Sequence, residues 1–209
     1  MEYLVTMTTR IPAGILASMA GFEVAEADCA RTLAERGHLI RLWHPARPLN
    51  VWNTIGLFAA SDRRELDAIL GATPLMDWQT HEVTALYPQI DDPVLTHIES
   101  TRSQAAEFLM TMAISAPSAT PHQMIEDTRA RQHRRVTELI EEGHLVRMWD
   151  LQREAGTTRI ASLWGARDAA DMMACVESLP AYPWMTVTTV PLAVHAHDPA
   201  ASRQPIAAR

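Results

Sequence analysis

The chain opens on an alternating, strand-like pattern over residues 2–9 that ends near Pro12. From 15 to 36 the period changes. Ile15, Met19, Phe22, Cys29 and Leu33 fall on one face of a helix, and Gly37 supplies the expected stop. A strand over 38–44 follows, with Pro45 and Pro48 punctuating the loop after it, and then a strand over 51–59. Ser61 reads as the N-cap of a helix from Asp62 to Leu70, with Glu65 near its first turn. Beyond Gly71 and Pro74, residues 79–86 form a last strand. The order is strand, helix, strand, strand, helix, strand.

The same order then runs a second time. Glu-Tyr-Leu-Val-Thr-Met at 2–7 returns as Glu-Phe-Leu-Met-Thr-Met at 107–112, and Arg-Gly-His-Leu-Ile-Arg-Leu-Trp at 36–43 as Glu-Gly-His-Leu-Val-Arg-Met-Trp at 142–149. Pro74 and Trp78 return as Pro180 and Trp184. Solenoid repeats are only about 20–50 residues long, so each copy is expected to be a small domain. The matching elements are 107–114, 121–142, 144–150, 157–164, 168–178 and 185–192, with Asp168 in the place of Asp62 and Gly143 in that of Gly37. Residues 1–93 thus form copy 1, 94–104 a linker, 105–199 copy 2 and 200–209 a disordered tail.

A βαββαβ order predicts an α+β fold: two tandem ferredoxin-like domains, each an antiparallel sheet with both helices on one face, related by a pseudo-twofold axis. Strict alternation places Ile40 and Leu42 on one face of the second strand and Leu39, Arg41 and Trp43 on the other. Copy 2 repeats this with Val146 and Met148 against Leu145, Arg147 and Trp149. A face of leucine, arginine and tryptophan is too apolar to stay wet, which predicts packing through the sheets and a homo-oligomer.

Charge and motifs narrow the partners. With 25 acidic and 18 basic residues the net charge is −7, and no basic stripe is present, so nucleic acid is not an expected partner. No apolar run approaches the ~20 residues of a membrane span, and no signal peptide is read at the start. Cys29 and Cys175 stand at non-equivalent places, which suits free thiols in a reducing cytoplasm. Glycine-rich phosphate loops, His-Glu-x-x-His, Gly-x-Ser-x-Gly and Cys-x-x-Cys are all missing. A cofactor-free enzyme that moves protons on a small organic molecule fits what remains.

Glu26 completes the helical stripe between Phe22 and Cys29. On a buried face its pKa would rise toward the range useful for proton transfer; at the stripe's edge it would reach solvent. Gln132 occupies its place in copy 2, with His133 beside it, so the copies are expected to differ in role. His38 and His144 follow the helix-ending glycines and suit either catalysis and binding or a hydrogen-bonded structural role at the sheet edge. Arg41 and Arg147 suit a bidentate grip on a substrate carboxylate or a buried salt bridge. Trp43 and Trp149 suit packing or a cavity lining, and His44 ends its strand at a loop, where functional residues gather. His195-Ala-His197-Asp198 looks like a metal ligand set, but copy 1 has no histidines at Gln89 to Asp92, so no metal is assigned.

Together these residues resemble the muconolactone Δ-isomerase family. The resemblance rests on Leu-Val-Thr-Met-Thr at 4–8, the helix carrying Glu26 that ends Ala-Glu-Arg-Gly, and Gly-His-Leu-Ile-Arg-Leu-Trp at 37–43. It continues through Leu-Gly-Ala-Thr-Pro-Leu-Met-Asp-Trp at 70–78, Glu-Val-Thr-Ala-Leu-Tyr-Pro at 82–88 and Asp-Asp-Pro at 91–93, and residues 107–199 match as well. It implies oligomers built through the sheets, no metal or organic cofactor, and migration of a ring double bond in an unsaturated lactone acid from aromatic-compound breakdown. The family's arginine after Leu-Trp is His44 here and Asp150 in copy 2, which points to a different substrate. On this reading Glu26, His38 and His44 are the catalytic candidates, and Arg41, Trp43, His133, His144, Arg147 and Trp149 the substrate-binding ones. A cofactor-free oxygenase or cyclase, or a non-catalytic binding module, are the alternatives from other classes.

Overall fold

The computed structural model describes residues 1–12, 19–45, 52–93, 106–151 and 157–201. The start of the long helix at Ile15, the linker over 94–104 and the tail from 202 onward lie outside the described residues. Elements are numbered in chain order: β1 (Glu2–Thr9), α1 (Met19–Glu35), β2 (Leu39–Pro45), β3 (Trp52–Ala59), α2 (Arg63–Gly71), β4 (Gln79–Pro88), β5 (Ala106–Ile114), α3 (His122–Glu141), β6 (Leu145–Asp150), β7 (Thr158–Ala166), α4 (Ala169–Glu177) and β8 (Met185–Val194). The fold is mixed α and β with antiparallel strands, and two compact units divide it. Unit 1 comprises Met1–Ala85 with Ala193–Arg209, and unit 2 comprises Leu86–Leu192. The sequence repeat divides near 93 and 105, whereas compactness divides the chain after 85 and after 192. Each unit is therefore completed by a short segment from the end of the other copy.

Within unit 1 the strand order is β2-β3-β1-β4, and within unit 2 it is β6-β7-β5-β8. Registers repeat as well as order. The pairs Glu2↔Ala59 through Thr9↔Trp52 reappear as Glu107↔Gly165 through Ile114↔Thr158. Both long helices end alike. His38 N–H donates to Leu33 O and Gly37 N–H to Ala34 O, and His144 and Gly143 do the same to Leu139 and Ile140. These paired bonds consume carbonyls that a helix end leaves free, and they need a left-handed residue. Gly37 (φ 75°) and Gly143 (φ 74°) supply it without the Cβ clash that other residues would meet.

Two local expectations require correction. The cap of α2 is Asp62, not Ser61. Its side chain accepts from Glu65 N–H at 2.9 Å while the Glu65 carboxylate takes Ser61 N–H, a reciprocal box. Asp168 caps α4 in the same way through Asp171 N–H. Strict alternation also fails in β2 and β6, where the pairing slips between Leu39 and Arg41 and between Leu145 and Arg147. A bulge inserts one residue and reverses the parity before it. Leu39 therefore joins Leu42 on the helix-covered side, in a core with Tyr3, Val5, Met7, Phe58, Leu66 and Leu70. Arg41 and Trp43 keep the opposite face, and Leu145 and Met148 repeat the pattern in the core of unit 2.

Candidate active site

Unit 1 contains a cavity of about 660 Å³ between α1 and the sheet. That volume lies within the range of small-molecule sites, about 300–1,000 Å³. Its apolar wall is Met7, Phe22, Leu33, Leu39, Leu42, Phe58 and Leu75, and Thr9, Asn53, Thr54, Thr73 and Gln79 place neutral polar groups in it. The α1 stripe read from sequence faces this space: Phe22, Glu26, Cys29 and Leu33 all line it. Trp78 backs Phe22 edge-on, with ring centroids 5.0 Å apart.

Glu26 is half-buried. One carboxylate oxygen accepts Leu75 N–H at 3.1 Å, fixing the side chain to the turn before β4. Burial raises its pKa above the usual carboxylate value, and the Leu75 bond only partly offsets this. Cys29, one helical turn further on, has its thiol pushed up by burial and then by the Glu26 charge. His44 stands exposed at the cavity rim. It stacks on His195, whose ring centroid is 4.2 Å away, and His195 in turn lies 5.1 Å from His197. Sequence reasoning set His195 aside, because its only apparent role was as a metal ligand. Among the described residues no group of three or more His, Cys, Asp or Glu is placed to hold a metal ion.

The other candidates lie away from the described cavity lining. His38 and His144 donate Nδ1–H to the carbonyls of Ala59 (3.1 Å) and Gly165 (3.2 Å), and their own carbonyls accept Ala59 N–H and Gly165 N–H. Both histidines thus rivet the end of a long helix to the neighbouring strand. Arg41 binds Asp198 through Nε at 3.0 Å and lies over the Trp43 ring at 4.8 Å. Arg147 binds Asp92 at 3.1 Å and lies over Trp149 at 4.7 Å. Asp198 and Asp92 are 2% and 1% exposed, so both ion pairs are internal. Trp43 and Trp149 are buried beneath them. His133 is exposed on α3 and pairs with Asp91 at 3.0 Å.

At the corresponding positions of unit 2, larger or apolar side chains replace several of these lining residues. Thr9, Thr54, Thr73 and Gln79 correspond to Ile114, Ile160, Leu179 and Met185, and Ala30 and Phe58 to Val136 and Trp164. All six replacements belong to the core of unit 2 or pack against it. Gln132, in the place of Glu26, still accepts a backbone N–H, that of Ala181, at 3.1 Å. The anchoring bond is thus common to both copies, whereas a carboxylate beside a cavity occurs in unit 1.

Comparison with known proteins agrees with this geometry. The family model of muconolactone delta-isomerase matches residues 1–92 and again residues 106–198. The chain belongs to the muconolactone delta-isomerase family, with two successive segments that each match it. No curated protein matches the chain. Among solved structures it is similar to chlorite dismutase from Candidatus Nitrospira defluvii in complex with imidazole, at 7% identity and TM-score 0.57, covering 92% of this chain and 91% of that one. It is also similar to a haem-binding protein from Thermus thermophilus, at 9% identity and TM-score 0.54 over 92% of each chain. At such identities the likeness is one of fold.

Proposed function

We propose that the protein is a cofactor-independent isomerase of the muconolactone isomerase type. It moves a proton, and with it a carbon–carbon double bond, within a small unsaturated lactone or related organic acid. The observation that carries the proposal is the Glu26 carboxylate. It is desolvated at a cavity of ligand size and held by one oxygen to Leu75 N–H, which leaves the other oxygen for proton transfer. Anchoring alone needs only an acceptor, and Gln132 provides one in unit 2. A titratable group at this position beside the cavity of unit 1, and an amide at the same position of unit 2, fits a single active site. In this reading the sequence repeat is a fused pair of domains with the catalytic site in unit 1, which most of copy 1 and the end of copy 2 build together.

Glu26 takes a proton from the carbon at the far end of the C=C bond conjugated with the carbonyl, the electrons pass through that bond to the carbonyl oxygen, and the same carboxyl returns the proton to the carbon next to the carbonyl. Such a base supplies about 10²–10⁴-fold. The haem chemistry of the fold neighbours is not carried over. The described lining offers Glu23 and Glu26 but no guanidinium or ammonium for a haem's propionates. The test is to follow muconolactone by proton NMR in D₂O with the intact chain. Wild type should exchange a ring proton or form the isomer, and Glu26→Gln should slow this by at least about 10²-fold. Equal rates in both would remove Glu26 from the mechanism.

A further inference from the structure

We propose that His195 is a second catalytic residue of this site: a neutral imidazole whose Nε2–H donates to the substrate's carbonyl oxygen as negative charge develops on it. The inference rests on the isomerase reading above but is carried by a separate part of the structure. Proton abstraction from a carbon conjugated with a carbonyl needs a donor for the resulting enolate. The two cationic or imidazole groups suggested by the sequence, Arg41 and His38, are engaged by Asp198 and by the Ala59 carbonyl. His195 lines the same cavity as Glu26.

The local geometry fixes its tautomer. His197 N–H donates to His195 Nδ1 at 3.0 Å, so Nδ1 carries no hydrogen and the ring's proton sits on Nε2. The backbone holds the ring in place from both sides. His195 N–H donates to Leu42 O at 3.0 Å, and His195 O accepts Asp198 N–H at 3.0 Å. Asp198 then ties the segment to Arg41 and caps Ala200 N–H at 2.7 Å. The groups facing the ring are His44 from β2 and His197 from its own segment. Burial, with the repulsion of those two imidazoles, lowers its pKa to about 4, so the ring is neutral at neutral pH. A neutral donor polarises a carbonyl without forming a tight ion pair with the carboxylate that lines the same cavity. Gln89, at the corresponding place in copy 1, belongs to unit 2.

In the first half-reaction the C–H bond breaks, an O–H bond forms on Glu26, and the electron pair rests on the carbonyl oxygen under His195 Nε2–H. In the second, the carbonyl re-forms, the carbon next to it takes the proton, and the Glu26 O–H bond breaks. Nothing is oxidised or reduced, and His195 ends as it began.

The test uses the full chain labelled with ¹⁵N-histidine, and 2-naphthol as a ring-bearing oxyanion probe. Long-range ¹⁵N spectra between about pH 5 and 8 should show one histidine, absent from His195→Phe, that stays neutral with its hydrogen on Nε2. Adding 2-naphthol should shift that Nε2 resonance. His195→Phe should weaken 2-naphthol binding at least tenfold, and His195→Gln, which keeps an N–H donor, should recover part of the loss. Because the link to Leu42 is made by the backbone, these variants should keep the wild-type unfolding midpoint. A hydrogen on Nδ1, an imidazolium above pH 6, no 2-naphthol binding, or equal affinity in His195→Phe would each overturn the proposal. Failure of the Glu26 reading appears separately, as unchanged turnover in Glu26→Gln.

Discussion

Replacing Asp198 with alanine tests whether the segment after β8 is structurally fastened into unit 1. The Asp198 side chain is fully buried and receives Arg41 Nε at 3.0 and 3.2 Å, while the Arg41 side chain keeps 19% of its surface. Removing one partner of a buried pair costs about 3–5 kcal/mol, because the other charge stays behind in a poor solvent. Arg41 retains some water and its contact with the Trp43 ring, which favours the lower end, about 3 kcal/mol. A chain of this length loses about 2–4 °C of midpoint per kcal/mol, so Asp198→Ala should melt about 6–12 °C below wild type. Circular dichroism on heating measures this directly. Asp198→Asn keeps an acceptor for Ala200 N–H and should lose less. Asp92→Ala is the internal control, because Asp92 holds Arg147 in unit 2 at similar distances and should cost a similar amount. The variants should differ in function: freeing the 195–201 segment should also weaken ligand binding at the cavity, and Asp92→Ala should not. An Asp198→Ala midpoint equal to wild type would refute the assignment of this pair as a fastening.

Three further outcomes follow from the same coordinates. Because burial raises the Glu26 pKa, the folded state keeps that proton longer than the unfolded chain, and stability is lost as pH rises through the raised value. Glu26→Gln should therefore be more stable than wild type in urea at pH 7, with the difference gone near about pH 4; a constant difference at both would contradict the shift. Gly37→Ala forces a side chain into φ 75° and should cost about 1–2 kcal/mol in urea unfolding, as should Gly143→Ala; no change would exclude strain at the helix end. Importing the residues of unit 2, as Thr9→Ile with Thr54→Ile and Gln79→Met, should fill the cavity, preserve the fold and abolish 2-naphthol binding. Unchanged binding would place the site elsewhere.

Strand and helix order, the repeat and the helix-ending glycines were all legible in the sequence, because each has a local signature: period two, period 3.6, or the need for φ > 0. The exchange of chain ends between the compact units was not. No residue near 86 or 193 marks where one packed body stops and the other begins; only long-range contacts decide that. Alternation misassigned Leu39, because a bulge leaves no mark in composition yet reverses parity along the strand. The helical stripe led to Glu26, which lines the cavity of unit 1. Sequence could not decide between the two uses of Arg41, because its partner Asp198 lies 157 residues away. His195 was visible only as one member of a His-x-His-Asp string, and its meaning depends on the ring it stacks against and the backbone N–H that fixes its tautomer.

Comparing the two copies separates scaffold from chemistry without any other sequence. Features that recur in both are structural by their contacts: the glycine-ended long helices, the His38 and His144 rivets, the bulges, and the Arg–Asp pairs over Trp43 and Trp149. If the copies had simply drifted apart, their differences would be scattered over the surface, where substitutions are nearly neutral. Among the differences between the units, one connected set, Thr9, Thr54, Thr73, Gln79, Glu26, His44 and His195 against Ile114, Ile160, Leu179, Met185, Gln132, Asp150 and Gln89, maps onto the cavity of unit 1. The apolar members of the second set belong to the core of unit 2 or pack against it, whereas the members of the first line a largely apolar cavity. The differences at these positions thus accompany a cavity of about 660 Å³ in unit 1, while their counterparts Ile160 and Leu179 lie in the core of unit 2.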